Sequence, residues 1–172
     1  MSSNDKWNGL SRLSVEWMQG QIKALENLYD PKQDLDLIGL SDMLRDEIYN
    51  VKTTAELSIE RYMRNLIALA ISRDKIFVRY YKIDARNAMY SVENSFYHDK
   101  EYLKKVIDEQ LQELYEDAIK SYRSNIFEEE DVDVEKMELL PKKVPWSIND
   151  LLDKGVTELA LILTEAMDKN KE

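Results

Sequence analysis

The side chains that usually carry catalysis and metal binding are scarce in this sequence. Among its 172 residues there is one histidine, His98, and no cysteine. A zinc hydrolase needs several histidine ligands, and a di-iron carboxylate bundle uses paired Glu-x-x-His motifs, whereas Ser95 stands three residues before His98. Neither a glycine-rich phosphate loop nor a G-x-S-x-G nucleophile turn is present. The sequence therefore predicts no metal ligands and no bound cofactor.

Carboxylates are the remaining candidates for general acid–base chemistry. The chain has 34 Asp and Glu residues, so chance pairs occur throughout and no pair stands out by its spacing. His98 lies in the polar stretch "FYHDKEY", where a solvated helix position is the favoured interpretation. The sequence therefore favours a non-catalytic protein with no catalytic residues.

One region departs from the acidic average of the chain. Residues 61–86 contain seven Lys and Arg residues against Asp74 and Asp84, a local charge of +5 (7 − 2). The favoured interpretation is that these cations pair with acids on neighbouring helices. They otherwise contact an acidic partner or a phosphate backbone, with Tyr80 and Tyr81 stacking on a base, or they form an oligomer interface rich in Arg and Tyr. The candidate contacts are Arg61, Arg64, Arg73, Lys75, Arg79 and Lys82.

The overall composition limits the classes of protein to which the chain can belong. The net charge is −10 and the pI is near 4.8, whereas proteins that coat nucleic acid are usually basic. The absence of cysteine fits an intracellular protein, and the N-terminal "MSSNDKWNGL" lacks a signal-peptide pattern. No apolar run approaches the roughly 20 residues that span a bilayer. We expect a cytoplasmic protein without a membrane partner.

Long helices with few breaks are the expected framework. The chain has 4 glycines and 3 prolines, which leaves little sequence for loops. Asp36 or Ser41 is the expected N-cap of the second helix, Thr53 or Thr54 of the third, and Ser91 of the fourth. The β-rich stretch "IFVRYYKI" permits a strand, but a continued helix is favoured because no turn residues precede it. Apolar periodicity predicts helices over residues 5–29, 35–51, 53–83 and 91–127.

An acidic run interrupts this helical pattern. Seven of the eleven residues 128–138 are acidic and one is a lysine, so mutual repulsion favours an extended linker. A charged surface loop is the alternative. The expected fold class is mainly α, a bundle of long helices with a small α/β or helical appendage. The expected domains are a helical assembly domain (1–127), the acidic linker (128–138) and a C-terminal appendage (139–172).

The C-terminal appendage has its own boundary signals. Pro141 and Pro145 favour an extended start, because proline cannot donate a backbone hydrogen bond. Ser147 and Asp150 have the spacing of a capping box, which predicts a short helix that ends near Gly155. The final apolar stretch "TELALILTEAM" is either a strand or a last helix, and the helix is favoured.

Four stretches follow one another in the order found in a known family. They are "LSVEWMQGQI", "AELSIERYMRNLIALAISRDKIF", "SVENSFYHDKEYLKKVIDEQLQELYEDA" and "MELLPKKVPWSINDLLDKGVTEL". The second has an acidic and apolar lead before Arg-Tyr-Met-Arg and a basic end. The fourth has a Leu-Pro step, a short helix and a Gly-Val turn. Together they resemble subunits of the GINS replication complex, in the archaeal arrangement with the helical domain first and the small domain last.

The resemblance implies a non-catalytic scaffold subunit of DNA replication. It implies pairing with a second GINS-like subunit into a tetramer, which bridges the MCM helicase and a RecJ-like or Cdc-type factor and contacts primase or polymerase. It leaves direct contact with DNA open. It also implies nucleoid association in an archaeon, or a nuclear location in a eukaryote. The alternative is a nucleic-acid-binding accessory subunit of a polymerase or primase that uses the Arg61 to Arg86 patch.

Two sets of residues are candidate protein contacts under this interpretation. The apolar stripe of the third predicted helix is broad enough to be covered on two sides, which favours an oligomer over a monomer. The predicted subunit interface consists of Leu57, Met63, Leu66, Ile67 and Ile71. The appendage is predicted to dock through Leu140, Pro141, Trp146, Leu151, Gly155 and Val156.

Overall fold

A computed structural model describes residues 14–28, 36–73, 75–125 and 133–171. These residues form helices and no β-strand, which confirms the mainly α class. The α-helices are α1 (Val15–Leu28), α2 (Leu37–Ile71), α3 (Lys75–Phe96), α4 (Lys100–Asn125), α5 (Val134–Glu138), α6 (Ile148–Asp153) and α7 (Val156–Asp168), followed by a 3₁₀ turn at Lys169–Lys171.

The central element of the bundle is α2. Its 35 residues extend over ~52 Å at 1.5 Å per residue. It contacts α1, α3, α4 and α7, so it is enclosed over much of its circumference. Its buried apolar residues follow one another at intervals of one, three or four positions, so they cover a wide arc of the helix. Other helices must therefore pack on α2 from several sides. The fully buried residues are Ala55, Ile59, Tyr62, Met63, Leu66, Ile67 and Ile71.

The helix boundary predicted near residue 53 is wrong. Asp36 caps α2 by accepting a hydrogen bond from the backbone N–H of Gly39 at 2.8 Å, as expected. Thr54 lies inside the same helix, where its Oγ1 donates to the carbonyl oxygen of Asn50 at 2.7 Å. The hydroxyl therefore bonds to the preceding turn, as in a helix interior, and not to a free N–H, as in a cap.

The chain folds back after Ile71. Ser72 leaves the helical conformation with φ −58° and ψ 136°, while its N–H still donates to the carbonyl of Ala68 at 3.0 Å. The β-rich stretch then lies in α3, so the preference for a helix over a strand is confirmed, whereas the predicted continuity through residue 72 is wrong. The reversal is favoured because it brings the apolar side of α3 against α2, which one straight helix over 53–83 would leave exposed.

The next predicted boundary, at Ser91, is also wrong. The Ser91 hydroxyl donates to the carbonyl of Asn87 at 3.1 Å inside α3. The helix continues to Phe96, and α4 begins at Lys100. Asp99, which is 7% exposed, accepts a hydrogen bond from the backbone N–H of Val15 at 2.6 Å. This bond holds the start of α1 against the turn between α3 and α4.

The first predicted helix and the predicted linker fall only partly within the described residues. The description begins at Ser14, so the part of the 5–29 prediction before it lies outside the described residues, as do residues 126–132. Within the predicted linker, residues 134–138 form α5 rather than an extended segment. Asp133 caps α5 by accepting from the N–H of Lys136 at 3.2 Å, which offsets the repulsion that the composition predicts.

The C-terminal appendage follows its local signals. Ser147 and Asp150 form the expected capping box, with the Asp150 N–H donating to Ser147 Oγ at 3.1 Å and the Ser147 N–H donating to Asp150 Oδ2 at 2.9 Å. Gly155 is the N-cap of α7, which is the favoured last helix. Buried residues of α6 and α7 belong to the same hydrophobic core as those of α2 and α4. The division of the chain into three domains stays a prediction.

Candidate interaction surface

The helix α3 has two apolar sides. Its inner side packs into the core through the buried residues Tyr81, Ala85, Ala88, Val92 and Phe96. Its opposite side carries large apolar residues that remain open to solvent. A surface helix of a monomer normally has one apolar side and one polar side. The second apolar side of α3 is therefore a candidate interaction surface.

We call the exposed side of α3 the outer stripe. Tyr80 is 58% exposed, Ile83 49% and Tyr90 57%. Ile76, one turn before Tyr80, is 76% exposed and continues the same line. Exposed single hydrophobic residues are common, but several in one line along a helix mark an interaction site. The outer stripe consists of Tyr80, Ile83, Asn87, Tyr90 and Asn94.

A row of cations runs beside the outer stripe. Lys75, Arg79, Lys82 and Arg86 are spaced by four, three and four residues, so they share one side of α3. Lys82 is half-buried and the other three are exposed. Within the described part of the chain, these four residues form no ion pair. This basic stripe and the outer stripe together give one helix surface an apolar seam with a positive flank.

The structure divides the predicted basic contacts between two roles. Arg61, Lys75 and Arg79 are exposed, as a contact with a partner requires. Arg64 instead donates to Ser121 Oγ at 3.0 Å on α4, and Arg73 forms an ion pair with Asp133 at 2.8 Å. The Arg73 guanidinium lowers the pKa of the Asp133 carboxyl to about 2, with a further contribution from the Lys136 backbone N–H. Intramolecular contacts therefore occupy Arg64 and Arg73.

The structure buries four of the five residues of the predicted subunit interface. Met63, Leu66, Ile67 and Ile71 are completely buried in the chain's own core, while Leu57 is 60% exposed. The width of the apolar stripe predicts that more than one neighbour covers it. These neighbours belong to the same chain, because α3, α4 and α7 all pack on α2.

Most residues predicted to dock the appendage to a partner instead hold it on the bundle. The buried ones are Leu140, Trp146, Leu151 and Val156. The Trp146 indole N–H donates to the carbonyl of Leu159 at 3.0 Å, and its ring meets the Tyr115 ring edge-on at 6.0 Å. Pro141 is half-buried and Gly155 is exposed. A partner therefore cannot reach the apolar side chains of this set in the described conformation.

Two residues of α4 that the sequence did not single out anchor the appendage. The Gln112 amide donates to the carbonyl of Lys142 at 3.0 Å and accepts from the N–H of Val144 at 2.9 Å. The Tyr115 hydroxyl donates to the carbonyl of Pro141 at 3.0 Å, and burial raises the pKa of this tyrosine. The prolines signal an extended segment whose backbone needs outside partners, but the sequence does not identify those partners.

The one histidine, the carboxylates and the helix lengths were the remaining features to locate. His98 is exposed in the turn before α4 and not within a helix. In the residues that the structure describes, no three His, Asp or Glu side chains lie together in a way that would hold a metal ion. Over the same residues, no helix has the length and apolar content to cross a membrane.

Comparisons with known proteins identify no relative. No protein-family model, no curated protein and no solved structure matches this chain. Inferences about function therefore rest on the surface of α3 and on the sequence pattern.

Proposed function

We propose that this chain is a non-catalytic assembly subunit of a DNA replication scaffold of the GINS type. The scaffold would bridge the MCM replicative helicase to other replisome factors, including a RecJ-like or Cdc-type factor and primase or polymerase. The outer stripe of α3 is the observation that carries the assembly role. The order of sequence stretches that resembles GINS subunits supports the replication role.

The energetic reason for an assembly role is the cost of leaving the outer stripe in water. Apolar surface removed from water contributes roughly 25 cal/mol per Å², so several half-exposed large side chains are a substantial driving force for association. The same residues contribute little to the stability of the isolated bundle, because they face away from its core. Interfaces are also enriched in tyrosine and arginine, and both occur on this surface of α3.

Co-sedimentation with the purified MCM helicase of the source organism tests this function. We expect the chain to migrate with the helicase in a gradient, and the Ile83→Asp variant to lose that migration. Leu161→Asp is the matched control, because Leu161 is 56% exposed on α7, and it should retain migration. Separate migration of the wild-type chain and the helicase, at low salt and with the other scaffold subunits added, would reject the replication role.

The basic stripe supports a second candidate function, in which the chain is a nucleic-acid-binding accessory subunit of a polymerase or primase. Four cations on one side of α3 form a positive row that a phosphate backbone can contact, and Tyr80 lies beside them. Binding through four phosphates predicts an affinity that falls with salt with a log–log slope of about −3 to −4.

DNA binding is measured by fluorescence anisotropy across a salt series. The double variant Arg79→Glu/Arg86→Glu should abolish binding, whereas Lys23→Glu on α1 should leave it unchanged. Arg64 is a poor probe, because its hydrogen bond to Ser121 is part of the packing of α2 on α4. Absence of binding at low salt would exclude this second candidate.

A further inference from the structure

The outer stripe has the period of a coiled coil. Its residues are spaced by three, four, three and four positions, which is the alternation of a and d positions in a heptad repeat. Ile83 and Tyr90 occupy d positions, and Tyr80, Asn87 and Asn94 occupy a positions. The buried residues Ala85 and Val92 fall at f positions, opposite the seam. The stripe is thus arranged to pack against another helix without disturbing the core.

The length and exposure of α3 suit a helix pair. Its 22 residues give about three heptads over ~33 Å. At roughly 150–250 Å² per aromatic side chain, the exposed parts of Tyr80 and Tyr90 supply roughly 200 Å² of contact surface. With the two isoleucines, the seam supplies about half of the roughly 800 Å² per partner of a standard interface, and the flanking side chains supply the rest.

We propose that the outer stripe binds the same stripe of a second copy of this chain, parallel and in register. This inference rests on the assembly role proposed above and names its partner. In such a pair, a g residue faces the e residue five positions later on the other helix. Arg79 is at g and Asp84 is at e, so Arg79 of each copy meets Asp84 of the other. Neither side chain forms an ion pair within the described residues.

The other charges of α3 agree with parallel pairing. Arg86, the next g residue, faces Ser91 of the second copy and meets no like charge. Lys75 and Lys82 fall at c positions, away from the seam. An antiparallel pair centred on Ile83 and Asn87 would instead place Arg86 against Arg86 and Asp84 against Asp84 at its middle. The same antiparallel pair sets Glu93, which is also a g residue, beside Arg79 of the other copy. Charge therefore favours a second copy in either orientation, and Asn87 sets the orientation.

Asn87 defines the register. A polar asparagine at an a position hydrogen-bonds to the same residue of the partner helix and favours two strands in register. The asparagine also lowers the stability of the helix pair relative to a seam made only of aliphatic residues. A foreign acidic helix would pair with the basic stripe, but it would also need a cation opposite Asp84 and an asparagine opposite Asn87. A second copy satisfies Arg79, Asp84 and Asn87 together.

Sedimentation velocity of the purified chain over a concentration series tests the pair. We expect wild type to change from monomer to dimer as concentration rises, and Ile83→Asp to weaken the dimer at least a hundredfold. Leu161→Asp should dimerise like wild type. Circular dichroism checks that each variant is folded, which we expect because Ile83 is half-exposed. A wild-type chain that stays monomeric throughout would overturn the proposal.

A charge-exchange experiment tests the pairing partners. Arg79→Glu and Asp84→Arg should each weaken self-association about tenfold, because each replaces two attractive contacts with two repulsive ones. A mixture of these two variants should restore a dimer of wild-type strength. In the mixed dimer, the acid introduced at position 79 faces the base introduced at position 84, and the native Arg79 faces the native Asp84. Failure of the mixture to recover would reject the assigned contact.

Disulfide cross-linking tests the register. Because the chain has no native cysteine, only the introduced thiols can form a disulfide. Asn87→Cys should form a disulfide-linked dimer under mild oxidation, whereas Glu109→Cys on α4 should not. Cross-linking between Ile83→Cys and Asn87→Cys chains, without Asn87→Cys homodimers, would indicate an antiparallel pair and overturn the register. Migration with the helicase is scored separately with wild-type protein, so a monomer that still binds helicase rejects only the self-pairing.

Discussion

Two buried tyrosine hydroxyls show how differently the same group can act in this core. The Tyr115 hydroxyl donates to the carbonyl of Pro141 at 3.0 Å and joins α4 to the appendage. The Tyr62 hydroxyl is buried in α2 and has no hydrogen-bond partner within the described residues. Burial, and to a smaller extent the charge of Glu93, raises the pKa of Tyr62. One hydroxyl is satisfied and the other carries a desolvation cost.

We predict opposite effects of removing the two hydroxyls. Tyr115→Phe should lower the free energy of unfolding by about 1 kcal/mol, because it removes a hydrogen bond and leaves the Pro141 carbonyl unpaired. Tyr62→Phe should leave stability unchanged or raise it by up to about 1 kcal/mol, because it removes an unsatisfied group. Urea denaturation measures both, and each variant is the other's control. A loss of stability in Tyr62→Phe would mean that its hydroxyl has a partner.

The Arg73–Asp133 pair predicts a pH dependence. The pKa of Asp133 is about 2 in the folded chain against an ordinary value of 3.8, because Arg73 and the Lys136 N–H favour its charged form. A depressed carboxyl pKa stabilises the fold fully above the ordinary value. This stabilisation is lost as pH falls from about 3.8 through about 2.

The titration of Asp133 is measured by NMR, with Arg73→Gln as the comparison. We expect the carboxyl midpoint near 2 in wild type and closer to 3.8 in the variant. The difference in unfolding free energy between wild type and Asp133→Asn should shrink over the same pH range. A midpoint that does not move in Arg73→Gln would show that this arginine does not hold the carboxylate.

At the scale of elements, the long helix α2 depends on where its caps lie. Asp36 satisfies the Gly39 N–H at the start of the helix, whereas Thr54 bonds to the carbonyl of Asn50 within it. Both residues have side chains that commonly form caps, yet Asp36 caps the helix and Thr54 lies in its interior. The difference lies in which backbone groups are free, because only the first turn has unbonded N–H groups.

We therefore predict unequal effects of two alanine substitutions. Asp36→Ala should cost about 1 kcal/mol of unfolding free energy, the usual loss for an N-cap. Thr54→Ala should be neutral or stabilising by about 0.5 kcal/mol, because alanine has the higher helix propensity. Thermal and urea denaturation measure both. A cost for Thr54→Ala as large as that for Asp36→Ala would indicate a helix start at residue 54.

At the scale of the whole molecule, the long helices and the C-terminal segment share one hydrophobic core. Trp146 is buried against Tyr115 of α4, and Leu159 and Leu163 of α7 lie in the same cluster as α2 residues. Removing the appendage would uncover apolar surface of both α2 and α4. This continuity predicts that the appendage and the bundle unfold together.

Coincident unfolding is measurable with a variant that keeps Trp146 as its single tryptophan, made by Trp7→Phe and Trp17→Phe. We expect the fluorescence of Trp146 and the helical circular dichroism signal to give the same urea midpoint, as two-state unfolding requires. A fluorescence transition at clearly lower urea would show that the appendage is a separate unit, as the sequence pattern predicts.

The local features of this fold are predictable from the sequence. Helical periodicity, the Asp36 cap, the Ser147–Asp150 capping box and the helix over "IFVRYYKI" all depend on residues within a few positions of one another. The boundaries at residues 53, 72 and 91 were not predictable in the same way. Thr54 and Ser91 have cap-forming side chains, and only their hydrogen bonds to the preceding turn show that they lie inside helices.

What the sequence determined by itself is therefore the mainly α class, the scarcity of catalytic groups and the presence of cations along α3. Which apolar residues are free to meet a partner was decided by the tertiary structure alone. Met63 and Ile83 are both apolar residues in helices, yet the first is fully buried and the second is half-exposed. The physical reason is that burial depends on which helices pack together, and those helices are far apart in the sequence. Local residue spacing does not specify that packing.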